Sequence, residues 1–224
     1  MTGKTHRVGG VLCALAGYTI LDNKGMLISD VSPILQLTVM YPFAIYGSVV
    51  SDLDHHEQSI PSRDIVSLGI NKVLHLTSGI RKRTNSKNPL LGVFDAKHRS
   101  WQTHSEMFLL LMTVLSVFLI GNSSTGATGI ITRLVFTGLI LGVISHLLLD
   151  MITPEGIWSI ICVILNKVFK LKLPEKIHLV PKNKFFATGG KWEDMVRDLM
   201  WFISFILIIR ILYYMSPYRI NFNF

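Results

Sequence analysis

Ser145-His146-Leu147-Leu148-Leu149-Asp150 is the stretch on which the reading of this chain turns. These residues close an apolar run that begins near Ile130 and carries a single cation, Arg133. A run of roughly 20 apolar residues is long enough to cross a bilayer as a helix. On such a helix His146 and Asp150 lie four positions apart and share one face. An imidazole and a carboxylate held in that way can grip one metal ion from a rigid backbone. The plainer alternative is a satisfied polar pair, with the histidine hydrogen-bonded to the aspartate near the membrane surface. The positions of the other histidines and acids weigh between the two.

Composition sets the surroundings. Half of the 224 residues are hydrophobic, the mean hydropathy is +0.45, and the apolar residues come in blocks. This profile predicts an all-α, polytopic helical membrane protein with a single domain over residues 1–224. The net charge of +8 does not call for nucleic acid, which is not an expected partner. Basic loops beside membrane helices follow from topology and anionic headgroups. Cys13 and Cys162 both lie in apolar segments and read as small buried hydrophobes.

The apolar blocks predict about five crossings, over 8–21, 33–50, 105–120, 130–150 and 199–215. A shorter block at 156–169, flanked by lysines, predicts an interfacial or re-entrant helix. With the N-terminus in the cytoplasm, the loops at about 51–104 and 166–198 face inward. The inner segments then hold two basic residues before the first helix, eight in 51–104 and eight in 152–198. That is eighteen of the twenty-two Lys and Arg, which supports this orientation by the positive-inside rule. The expected location is the inner membrane, multi-pass, with the site on the cytoplasmic side.

On this topology the candidate ligands sort to one membrane face. His6 precedes the first helix. Asp52, Asp54 and His55 follow the second. His98 and His104 precede the third, His146 and Asp150 end the fourth, and Glu193 precedes the last. Side chains from several helices converging at one end are the pattern of a metal site built between bundle helices. The expected ligands are His6, Asp54, His55, His104, His146 and Asp150. The mixed His and carboxylate set suits a divalent ion, zinc first, with manganese or iron as alternatives. Asp52, His98, Arg99 and Glu193 are the candidate catalytic residues. The guanidinium of Arg99 is a bidentate partner for a substrate anion. His98 is placed for acid or outer-shell work, and Glu193 for a base or a helix cap. Thr153-Pro154-Glu155-Gly156 reads as a helix stop, and Thr188-Gly189-Gly190 as a turn into a helix.

At these residues the chain resembles the YdjM-like, LexA-regulated, membrane-bound metal-dependent hydrolases. The resemblance is carried by Thr5-His6, Asp52-Leu53-Asp54-His55, His98-Arg99 with Thr103-His104-Ser105, His146 with Asp150, and the Gly156 turn. It runs in family order from His6 to about Glu193. It implies a membrane-bound, metal-dependent hydrolase acting on an ester or phosphoester, with a lipid ester among the expected substrates. Two rivals stand beside that reading. One is a non-catalytic, metal-stabilised adaptor or stress-response protein, whose metal shell would be closed. The other is a metal or proton transporter, which would want acids deep within its spans.

Overall fold

Backbone in lipid must satisfy its own hydrogen bonds, so apolar runs of this length fold as helices. The computed structural model describes residues 1–29, 31–54, 72, 103–123, 126–180 and 188–215. Helix α1 covers Gly3–Asn23 and α2 covers Pro33–Val50, followed by a 3-10 turn at Ser51–Asp54. Helix α3 spans Glu106–Gly121 and α4 spans Ala127–Met151. The two-residue strands β1 (Ile157–Trp158) and β2 (Lys176–Ile177) pair antiparallel around α5, Ile160–Phe169. Helix α6, Lys191–Met215, completes the described chain.

Helices α1, α2 and α4 pack against one another, α6 lies on α1, and α3 lies on α4. The α2–α4 contact is the most extensive, and small residues permit it. A Cβ added to Gly142 would strike the Ala44 carbonyl oxygen, and one added to Gly138 would strike that of Met40. Gly138 and Gly142 lie four apart, the spacing that lets two membrane helices approach at backbone distance. Larger side chains fill the remaining interfaces. Val11, Leu15, Tyr18 and Ile211 bury between α1 and α6. Val143 and Leu147 pack with Val50 and Ile157 near the C-terminal end of α4.

The helical class is as expected, but the number of spans is corrected. Among the described residues, two helices are long and apolar enough to cross a membrane, α2 and α4, where about five were expected. Helix α3 has 16 residues and α5 has 10. At 1.5 Å per residue these reach roughly 24 and 15 Å, short of a hydrocarbon core of about 30 Å. Helices α1 and α6 are longer, but charge enters their N-terminal turns through Lys4 and Arg7, and through Lys191, Glu193, Asp194 and Arg197. Helix α1 also begins earlier than its apolar pattern suggests, so His6 lies within its first turns and not before it.

The predicted punctuation holds. Helix α4 stops at Met151, and Gly156 takes φ +61° beside His178, a backbone geometry suited to glycine. Gly189 takes φ +77° two residues before α6 begins. Helix α5 has no buried residue. Its outward positions include Ile161, Ile164, Val168 and Phe169.

Candidate metal centre

Four segments bring their chemistry to one end of the bundle. The first turns of α1 supply His6, and the 3-10 turn after α2 supplies Asp52. Thr103-His104-Ser105 leads into α3, with Ser105 as its N-cap, accepting a hydrogen bond from the Phe108 amide. The last two turns of α4 supply His146 and Asp150. His104 is held from behind: its carbonyl accepts the Trp158 amide at 2.8 Å. Glu106 clamps the next turn to the start of α5, accepting from Ser159 Oγ at 3.1 Å and the Ile161 amide at 3.0 Å.

The side chains form two overlapping groups with metal-ligand spacing. One is His6, Asp52 and His146; the other is His104, His146 and Asp150. His104 Nε2 and His146 Nε2 are 3.2 Å apart, and each lies 3.4 Å from Asp150 Oδ2. Asp52 Oδ1 is 3.6 Å from His104 Nε2 and 3.8 Å from His146 Nε2. Four ligands about 2.0–2.1 Å from a tetrahedral ion would sit roughly 3.3–3.4 Å from one another. The triangle of His104, His146 and Asp150 therefore matches one face of such a tetrahedron, and Asp52 stands beside its two imidazoles. Asp150 also turns Oδ1 the other way, 3.4 Å from His6 Nε2 and 3.4 Å from the Met1 nitrogen. The His6 and His146 rings stack at 3.9 Å with 18° between their planes.

The protonation pattern favours a cation here. His146 Nδ1 lies 2.7 Å from the Ser48 carbonyl. A carbonyl can only accept, so Nδ1 carries a proton, and in the neutral form of the ring Nε2 presents its lone pair to the cluster. That lone pair faces Asp150 Oδ2, Asp52 Oδ1 and a second imidazole nitrogen. His6 Nδ1 is buried with no hydrogen-bond partner among the described residues. With neutral imidazoles the two carboxylates bring a charge of about −2 against +1 on the Met1 ammonium, and the remaining buried negative charge favours a cation. His6, His104, His146 and Asp150 have side chains no more than 1% exposed, whereas Asp52 is 18% exposed. Asp52 therefore marks the open side of the cluster.

Five residues singled out from sequence thus meet: His6, Asp52, His104, His146 and Asp150. Glu193 does not join either group. Its Oε1 accepts from the Thr2 amide at 2.6 Å, Thr2 Oγ1 at 2.7 Å and Thr5 Oγ1 at 2.5 Å. Its Oε2 accepts from the Gly189 amide at 2.6 Å. Four donors leave little acceptor capacity for a catalytic base, so the expectation of a catalytic Glu193 is corrected to an anchor. The carboxylate ties the residues just before His6 to the start of α6. Its pKa is held at about 2, where burial pushes upward and the Thr5, Gly189 and Thr2 donors pull further down. The Asp54 side chain, His55, His98 and Arg99 lie outside the described residues.

The sequence reading missed two supports of the site, the Ser48 carbonyl behind His146 and the Trp158 amide behind His104. Both are backbone groups, so no residue type announces them.

No curated protein and no solved structure matches this chain. A family model described as YdjM inner membrane protein matches residues 1–216, nearly the whole sequence, and the chain belongs to that family.

Proposed function

We propose that this protein is a multi-pass inner-membrane hydrolase, metal-dependent and acting on an ester or phosphoester at the cytoplasmic face, with a membrane lipid as the favoured substrate. The observation that carries the proposal is the buried three-histidine, two-aspartate cluster with one corner, Asp52, open to the outside. A divalent ion, zinc first given the ligand set, supplies Lewis-acid polarisation of the scissile ester and lowers the pKa of water. The chain supplies the rest. His104, His146 and Asp150 are the rigid ligands, oriented from behind by Trp158 and Ser48. Asp52 Oδ1, at the open corner, accepts a hydrogen bond from the attacking water and aims it. Arg99 pairs with the substrate anion, and His98 protonates the leaving oxygen.

The membrane setting rests on α2 and α4, on the family, and on the outward apolar faces of α3 and α6. Leu111, Val114, Val117 and Phe118 point outward on α3, as do Phe202, Phe205, Ile209 and Leu212 on α6. The cluster end is cytoplasmic by the distribution of basic residues. A structural metal site is the second reading, favoured by the near-complete burial of four of the five cluster residues. Metal-reconstituted protein assayed against phosphomonoesters, phosphodiesters, carboxylic esters and phospholipids separates the two. Chelator-sensitive turnover that zinc restores, and that Asp52→Asn abolishes while metal content stays full, is the expected result. Full occupancy, a closed coordination shell and no turnover across the panel would overturn the enzymatic reading.

A further inference from the structure

A second site lies at the far end of the bundle. Helix α1 carries His6 near one end and Asp22 and Asn23 at the other, and sixteen helical residues separate these by roughly 24 Å. There the C-terminal ends of α1 and α6 and the start of α2 enclose an open cavity of about 400 Å³, within the size range of small-ligand sites. Its lining includes Tyr18, Asp22, Asn23, Pro33, Arg210 and Tyr214.

Two charges of opposite sign face this cavity without neutralising each other. Arg210 Nη2 donates to Asn23 Oδ1 at 3.3 Å, and its guanidinium sits 5.4 Å from the centre of the Tyr214 ring. Neither partner carries charge, and among the described residues Arg210 and Asp22 make no ion pair with each other or with any other group. An arginine kept within an otherwise apolar helix turn marks a ligand pathway or a counter-ion. The positive end of the α2 dipole at Pro33 adds to the Arg210 potential. Asp22, at the negative end of α1, sets the opposite potential across the cavity. Next in sequence to lining residues or one turn away, Ile20, Ile34, Leu35 and Leu212 are each more than half exposed and offer an apolar outer surface.

We propose that this cavity binds the headgroup of a zwitterionic phospholipid, with its phosphate on Arg210, its ammonium on Asp22, and its acyl chains along this apolar outer surface. The guanidinium fork suits a phosphate diester. The carboxylate suits an ammonium, with which it forms a charge-assisted hydrogen bond. The site shares no residue with the metal cluster and sits at the other end of the helices, so a lipid held here is a structural or regulatory partner and not the molecule that meets Asp52.

The test uses full-length protein, delipidated in detergent and titrated with phosphatidylethanolamine, phosphatidylglycerol or soluble phosphoethanolamine, with bound molecules counted by native mass spectrometry. Wild type is expected to retain one phosphatidylethanolamine. Arg210→Ala and Asp22→Asn should each weaken that binding roughly tenfold or more, the scale of a lost charge-assisted hydrogen bond. Phosphatidylglycerol, which lacks the ammonium, should bind wild type more weakly, and Asp22→Asn should narrow the gap. Unchanged metal content shows that both variants are folded. Equal phosphatidylethanolamine retention by wild type and Arg210→Ala overturns the site. Soluble phosphoethanolamine binding as tightly as the lipid overturns the headgroup assignment.

Discussion

His146→Ala should be the most damaging single change at the cluster, because His146 belongs to both ligand groups. Its magnitude follows from the geometry. The ion is assigned three protein ligands, His104, His146 and Asp150. Structural zinc sites bind with about 10–16 kcal/mol in total, so one of three ligands carries roughly 3–5 kcal/mol, or about 10²- to 10⁴-fold in affinity. The Ser48 carbonyl, 2.7 Å from His146 Nδ1, loses its donor in the same variant, which adds to the loss. Asp150→Ala should cost a similar amount, since Asp150 Oδ2 is 3.4 Å from both His104 Nε2 and His146 Nε2. Because the two residues hold one ion together, the double variant should be little worse than either single one. The assay is competitive chelator titration of zinc with elemental analysis of the purified protein. All variants should still insert, because the apolar span of α4 is unchanged. An affinity of His146→Ala within about threefold of wild type would refute the shared-ion argument. So would single and double variants whose losses add.

Further expectations follow from particular contacts. Gly142→Ala pushes a Cβ into the Ala44 carbonyl and should lower stability by about 1–3 kcal/mol with zinc stoichiometry unchanged; a thermal midpoint in detergent equal to wild type would contradict the packing. Glu193 has a folded-state pKa of about 2 against an ordinary value of 4.5. Its contribution is therefore present above about pH 4.5 and lost as the pH falls toward 2, so Glu193→Gln should flatten the acid limb of the stability curve over that window. An acid limb as steep as wild type would remove Glu193 as the anchor of Thr2 and Thr5. In a background without Cys13 and Cys162, an impermeant thiol reagent should label Lys24→Cys from outside the cell and leave Glu155→Cys untouched; the reverse pattern inverts the topology.

The local features of this protein are legible in its residues. Apolar blocks foretell helices because backbone in lipid has no other partner than itself. The i,i+4 spacing puts His146 and Asp150 on one face whatever surrounds them. Gly156 and Gly189 stand at the turns that need a positive φ. Convergence of the histidines at one end also follows from order alone, since successive helices reverse direction and place His6, Asp52, His104 and Asp150 at the same side. Hydropathy was a weaker guide to span number, because a short or charge-tipped helix can have an apolar segment without the length to cross.

What only the tertiary structure decided is which of the converging groups meet and what each one faces. Glu193 and Asp52 look alike in sequence, both acids at helix ends near the same membrane face. Packing of α6 on α1 hands Glu193 to Thr2, Thr5 and Gly189, whereas the 3-10 turn after α2 delivers Asp52 to the imidazoles. The tautomer of His146 depends on a carbonyl 98 positions away, and the Arg210 cavity joins the connection between α1 and α2 to α6, with Arg210 187 positions from Asn23. Sequence spacing dictates contacts within one helix because the backbone repeat is fixed. Contacts between helices depend on rotation and approach, set here by where Gly138 and Gly142 let two backbones close on each other.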